Sequence, residues 1–196
     1  MIFFAEDEGE AVVSEPVKQS ASVLGYAGNK KSVDRNDWYT PDEYLSSVRL
    51  ALGEIDFDPY SDIVANATVQ ANFFRTKGCD QGAWPKAKTV FMNPPYSRGL
   101  VDKAVNEFLH ELRKQQFSAI VLTNNATETK WFQALLLYAN AVCLTDHRIA
   151  FYSVDGKAVS GNTRGQAFFY FGNDFTRFYT AFCGFGFTVR LPGMSQ

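Results

Sequence analysis

The tetrapeptide Asn93-Pro94-Pro95-Tyr96 is the part of this 196-residue chain best suited to chemistry. It follows Thr89, Val90, Phe91 and Met92, a short run that reads as a buried strand. Two adjacent prolines end a strand there, because neither can donate to a ladder. In open α/β sheets ligands bind outside the carboxyl ends of strands, so these four residues stand where a site is expected. The reaction that would use them is alkylation of a planar amine. An exocyclic amine on an aromatic ring delocalises its lone pair into the ring and is a poor nucleophile. Two acceptors aimed at its two N–H bonds, the Asn93 side-chain oxygen and the Pro94 carbonyl, favour the tetrahedral nitrogen of the transition state. Pro94 and Pro95 keep that acceptor stiff. Tyr96 offers a face for a flipped base, a contact worth roughly 1–3 kcal/mol in single-strand binders. Neither a metal nor a strong base is needed, since the amine loses its proton only after becoming cationic.

The elements that would hold these residues can be read from periodicity. Thr40, Pro41 and Glu43 match an N-cap, first position and N3 of a capping box, and Leu45, Val48 and Leu52 then recur at helical spacing until Gly53. Residues 55–58 alternate apolar and acidic and read as a strand ended by Pro59. Residues 60–85 carry no sustained pattern, which signals a functional loop or a hidden short helix. Residues 100–116 read as a helix with Val101, Ala104, Val105, Phe108, Leu109 and Leu112 on one face, 119–122 as a strand, 129–138 as a helix and 141–144 as a strand. This alternation predicts a parallel α/β sheet covered on both faces. Residues 149–152 and 167–171, with a turn at Asp155-Gly156, predict a C-terminal antiparallel hairpin. Phe168, Phe169 and Phe171 read as sheet core. A short aromatic helix near 174–182 and a last strand near 185–191 close the chain. Phe182-Cys183-Gly184-Phe185-Gly186 matches a nucleotide-loop pattern, but too few residues follow for a crossover, so it reads as a bend.

Composition bounds the class. Hydrophobic residues make up 46% and charged residues 20%, a globular profile in which no apolar run approaches the roughly 20 residues of a membrane span. Residues 1–15 hold five acids and no base, the wrong charge for a secretory signal, and residues 1–35 read as a flexible N-terminal arm ahead of one domain at 36–196. Beyond the acidic stretch, 19 bases face 16 acids, which permits a phosphate-contacting face. Cys79, Cys143 and Cys183 have neither metal-ligand nor disulfide-framework spacing, so a reducing cytoplasm is expected and no metal site. His110 and His147 lack a triad partner at recognisable spacing.

Trp38-x-Thr40-Pro41, Asp56-x-Asp58-Pro59, Asn66-Ala67, Trp84, Asn93-Pro94-Pro95-Tyr96-Ser97, Thr129-x-Trp131-Phe132 and the aromatic spacing after Arg148 together resemble the phage-type DNA N6-adenine methyltransferases, over residues 36–172. The resemblance implies a Rossmann-like sheet, S-adenosylmethionine as cofactor, double-stranded DNA as partner, and methyl transfer to adenine N6. It would place Thr40 and Pro41 against the methionine portion of the cofactor, with Asp58 and Pro59 at its acidic motif and Asp58 reading the methionine amino group. Asp58 reads alternatively as an exposed strand-end acid. Asp80 is a candidate for the cofactor adenine or ribose and equally for a turn before Gly82. The usual glycine-rich loop after the first strand is replaced by Asp58-Pro59-Tyr60-Ser61-Asp62. Ser97, Arg98, Lys103, Arg148, Lys157 and Arg164 are candidates for DNA contact, each also readable as an ordinary solvated charge or polar group. The site chemistry would equally serve RNA adenine or a protein glutamine, and the fold alone would suit a DNA-associated protein without turnover. With DNA reading left to the hairpin and the arm, a short recognition sequence is expected.

Overall fold

Seven strands form one sheet in the order β2-β1-β3-β4-β6-β5-β7. The computed structural model describes residues 38–76, 83–96, 99–153, 156–158 and 162–193, all within one compact unit, Asp34–Gln196. The expected arm at 1–35 lies outside the described residues.

Helix α1 (Asp42–Leu52) precedes β1 (Phe57–Ser61), α2 (Ile63–Val69), β2 (Phe73–Thr76) and β3 (Thr89–Met92). Then come α3 (Leu100–Gln115), β4 (Ser118–Asn124), α4 (Lys130–Tyr138) and β5 (Ala141–Thr145), followed by β6 (Gln166–Phe171), α5 (Phe175–Phe182) and β7 (Gly186–Arg190). Strands β2, β1, β3 and β4 pair in parallel, whereas β6 pairs antiparallel with both β4 and β5, and β7 antiparallel with β5. No described helix is long and apolar enough to cross a membrane.

Side-chain alternation gives the sheet two cores. On one face Val90, Met92, Val121 and Phe169 pack under Val105, Phe108 and Leu112 of α3 and Trp131, Phe132 and Leu135 of α4. On the other, Phe91, Ile120, Leu122, Phe168 and Tyr170 pack under Leu45 and Val48 of α1 and Phe178 and Phe182 of α5. Phe168, Phe169 and Phe171 are core, as their run predicts.

The structure corrects the sequence reading in four places. No hairpin joins 149–152 to β6. Tyr152 instead makes isolated bridges with Tyr39 and Ala158, and β6 inserts between β4 and β5. Every residue of β6 is buried, so it needs a neighbour on each edge and a cover on each face, which a terminal hairpin cannot supply. β5 consequently points the same way as β4 but is not paired with it. Secondly, Pro59 does not end β1. It lies inside the strand where the register with β2 shifts between Asp58 and Ser61, the kind of irregularity that tolerates a residue without an N–H. Thirdly, Pro41 rather than Thr40 takes the N-cap position of α1, with no side-chain cap, because the Thr40 hydroxyl is engaged elsewhere. Lastly, 60–85 holds the short helix expected as one alternative there, α2, capped by Asp62, and also an edge strand, β2, that the sequence did not announce.

The Gly184–Gly186 stretch is a bend from α5 into β7. Gly186 has φ +155°, and a Cβ there would lie 2.1 Å from the Leu144 carbonyl oxygen, so the β5–β7 approach requires glycine.

Candidate active site

The pocket lies at the carboxyl ends of β1 and β3. It is lined by Trp38, Tyr39 and Thr40 from the segment entering α1, Asp58 and Tyr60 from β1, Ala65, Thr68 and Val69 from α2, and Phe91, Asn93, Pro94, Pro95 and Tyr96 from β3 and the turn after it. Thr40, Asp58 and the whole tetrapeptide therefore meet, although more than fifty positions separate Thr40 from Asn93. Pro41 and Pro59 are buried beside the pocket without lining it. Asp80, Ser97 and Arg98 lie outside the described residues.

Asn93 extends β3 on the face covered by α1. Its Nδ2 donates to Thr40 Oγ1 at 3.2 Å, while its Oδ1 is buried without any partner. Among buried side-chain oxygens and nitrogens of the described residues, only Thr123 Oγ1 shares that condition. A buried acceptor left open costs about 1–3 kcal/mol. A native protein keeps such a group where something else, a ligand or an ordered water, supplies the missing donor.

Asp58 is 3% exposed, which excludes the solvated strand-end reading. Its Oδ1 accepts the Tyr60 N–H at 3.0 Å, within the irregular stretch of β1. Tyr96 donates its hydroxyl to the Leu122 carbonyl at the carboxyl end of β4, 3.1 Å away. Burial drives its phenol well above the usual tyrosine range, with the Asn124 main-chain N–H pulling the other way.

Two clusters escaped the sequence reading. Glu107 of α3 accepts from the Tyr60 hydroxyl at 2.7 Å, Arg75 at 2.5 Å and Trp84 Nε1 at 2.9 Å. Burial works to raise the Glu107 carboxyl, but hydrogen bonds from Tyr60, Arg75 and Trp84 and the charge of Arg75 hold it below its ordinary value of 4.5. This cluster fixes the Tyr60 wall of the pocket. No sequence signal announces it, because its four members come from four separate segments. In the second, His147 bridges Tyr44 and Asp146, with Nε2 2.7 Å from the Tyr44 hydroxyl and Nδ1 2.6 Å from Asp146 Oδ1. Burial first, then the Glu43 and Asp146 carboxylates, push the Tyr44 phenol up to about 12. Spacing gave no hint of Tyr44, which is 103 positions away.

The segment between β5 and β6 rises from the same edge of the sheet as the pocket. It is tied to the pocket wall by reciprocal main-chain bonds between Tyr39 and Tyr152, each 2.9 Å, and by an edge contact between Trp38 and Phe151. Arg148, Lys157 and Arg164 on this segment, and Lys103 in the first turns of α3, are exposed and do not line the pocket.

The profile of the DNA N-6-adenine-methyltransferase (Dam) family matches residues 27–184. A curated relative from Escherichia phage T1, named DNA N-6-adenine-methyltransferase, is 28% identical over 171 residues, which cover 79% of this chain and 70% of its own. Matched across the tetrapeptide, the strands that carry it and the residues that gather around it, the chain belongs to the DNA N-6-adenine-methyltransferase (Dam) family, enzymes that methylate adenine N6 in DNA.

Proposed function

We propose that the pocket binds S-adenosylmethionine on a Rossmann-like methyltransferase sheet and receives an adenine flipped from double-stranded DNA, with Asn93 and Pro94 accepting its amine. The observation that carries this reading is the buried, unpartnered Asn93 Oδ1, whose companion Nδ2 is already held by Thr40. An amide fixed in this way presents an acceptor, not a donor, to what enters. That is the polarity an exocyclic amine requires.

The donor set suits the cofactor. The buried Asp58 carboxylate matches a methionine ammonium, and the aromatic walls of Trp38, Tyr60 and Phe91 suit a planar purine and a sulfonium. When bound, S-adenosylmethionine supplies a methyl carbon on a positively charged sulfur. Asn93 Oδ1 and the Pro94 carbonyl take the two amine N–H bonds and turn the nitrogen lone pair toward that carbon. In that geometry the amine nitrogen would take the methyl carbon, and the cofactor sulfur would keep the electron pair of the bond it gives up. The cationic amine then loses a proton to water. Tyr96 stacks on the flipped base, and Arg148, Lys157, Arg164 and Lys103 meet DNA phosphates along the pocket's edge of the sheet. The free thiol of buried Cys143 suits work in a reducing cytoplasm.

The test is transfer of labelled methyl from S-adenosylmethionine to unmethylated DNA. Wild type should yield labelled N6-methyladenine, and Asn93→Ala should lose ~100-fold or more in turnover while binding the cofactor normally. Substantial residual turnover in the variant would remove Asn93 from the reaction.

A further inference from the structure

The β3–β4 ladder fails at one atom, and Tyr96 repairs it. Ser118 N–H donates to the Lys88 carbonyl at 2.9 Å, and the register runs from Thr89 opposite Ser118 to Met92 opposite Val121. In a parallel ladder every second residue bonds across, donating to the residue before its partner and accepting from the residue after. On β3 these are positions 90, 92 and 94. Position 94 would therefore donate its N–H to the Leu122 carbonyl and accept the Asn124 N–H on its own oxygen. It is a proline and has no N–H to give.

The Tyr96 hydroxyl supplies the missing donor to Leu122. The Asn124 N–H, on the same edge of β4, lies near enough to that phenol oxygen to pull its pKa down. No described residue donates to the Pro94 carbonyl. We infer that the Tyr96 hydroxyl is a positioning group: by taking the Leu122 carbonyl of β4 in place of position 94, it keeps the Pro94 carbonyl out of the sheet and free to accept the substrate amine. The inference rests on the reading of Pro94 as an acceptor. A carbonyl already spent on a sheet N–H would lie in the ladder plane with less electron density to offer. The prolines thus open the ladder, and the tyrosine two residues later stops it from re-forming around the carbonyl.

The test uses the full-length enzyme and has two readouts. Through-hydrogen-bond coupling between the Asn124 amide nitrogen and the Pro94 carbonyl carbon should be absent in wild type and present in Tyr96→Phe, which keeps the ring and loses the hydroxyl. Its presence in wild type, or its absence from the variant, overturns the inference. In methyl transfer, Tyr96→Phe should lower kcat about tenfold or more with KM for S-adenosylmethionine within about twofold. Replacing Tyr96 by 4-aminophenylalanine, which restores a donor, should recover most of the loss. An unchanged kcat in Tyr96→Phe overturns the inference while leaving Asn93 in its role. A wild type that methylates no adenine would sink the proposed function instead, and the wild-type coupling would still decide where the Asn124 N–H goes, whether or not any variant folds.

Discussion

The Thr40–Asn93 bond makes a threonine at the head of α1 answerable for the polarity of the amide. Removing its acceptor while keeping its shape, Thr40→Val, should free Asn93 to rotate and lower single-turnover methyl transfer about tenfold, the equivalent of roughly 1.4 kcal/mol. Thr40→Ser keeps the acceptor and should retain most of the rate. Equal losses in both would refute the bond's role. Glu107 acts similarly on Tyr60, and its depressed pKa has a definite sign. A carboxylate whose folded pKa lies below its unfolded value adds stability above the unfolded pKa, and that stability is lost as pH falls through the folded value. Thermal melts should therefore show wild type losing stability below about pH 4.5, with Glu107→Gln less stable at neutral pH and flatter across that window. The tetrapeptide announced itself because its chemistry is contiguous. Glu107 did not, since its partners at 60, 75 and 84 gather only once β1, β2 and α3 have packed.

Among the secondary-structure elements, Gly186 is the most exacting position. Gly186→Ala would force a methyl against the Leu144 carbonyl at a φ that disfavours side chains, and should cost at least about 1–3 kcal/mol in chemical denaturation by loosening β7 from β5. A variant as stable as wild type would mean that the β5–β7 approach relaxes freely. The helices α3 and α4 and the strand β3 were readable from the chain within a residue or two, because a helix's periodicity and a strand ended by prolines are local properties. Strand partners are not local. Residues 167–171 read correctly as a strand, yet nothing in their sequence says whether 149–152 or β4 and β5 will lie beside them. The signal that was present, and was outweighed by nearness in sequence, is the unbroken apolar run of β6, which asks for a central position. Thr40 shows the reverse error: a sound local pattern, the capping box, gave way to a hydrogen bond from a residue far along the chain.

Among the described residues, the candidate DNA contacts lie toward the pocket's edge of the sheet. The segment between β5 and β6 carries Arg148, Lys157 and Arg164, and its Tyr152 is bonded to the wall of the pocket through Tyr39. If these side chains meet phosphates, Lys157→Ala and Arg164→Ala should each weaken binding to all DNA sequences alike and reduce the salt slope of log K by about one. Unchanged slopes from binding titrations at several salt concentrations would remove them from the interface. The place of β6 also bears on how the chain is made. A ribosome that has released Thr145 has delivered β4 and β5, but the gap between them belongs to a strand that has not yet emerged. Until Phe171 emerges, both flanking edges stay open, and unpaired strand edges are what invite aggregation. The second half of the sheet must close after its last parallel strand is out, so its folding waits on synthesis and a chain cut short before Phe171 has no way to complete it.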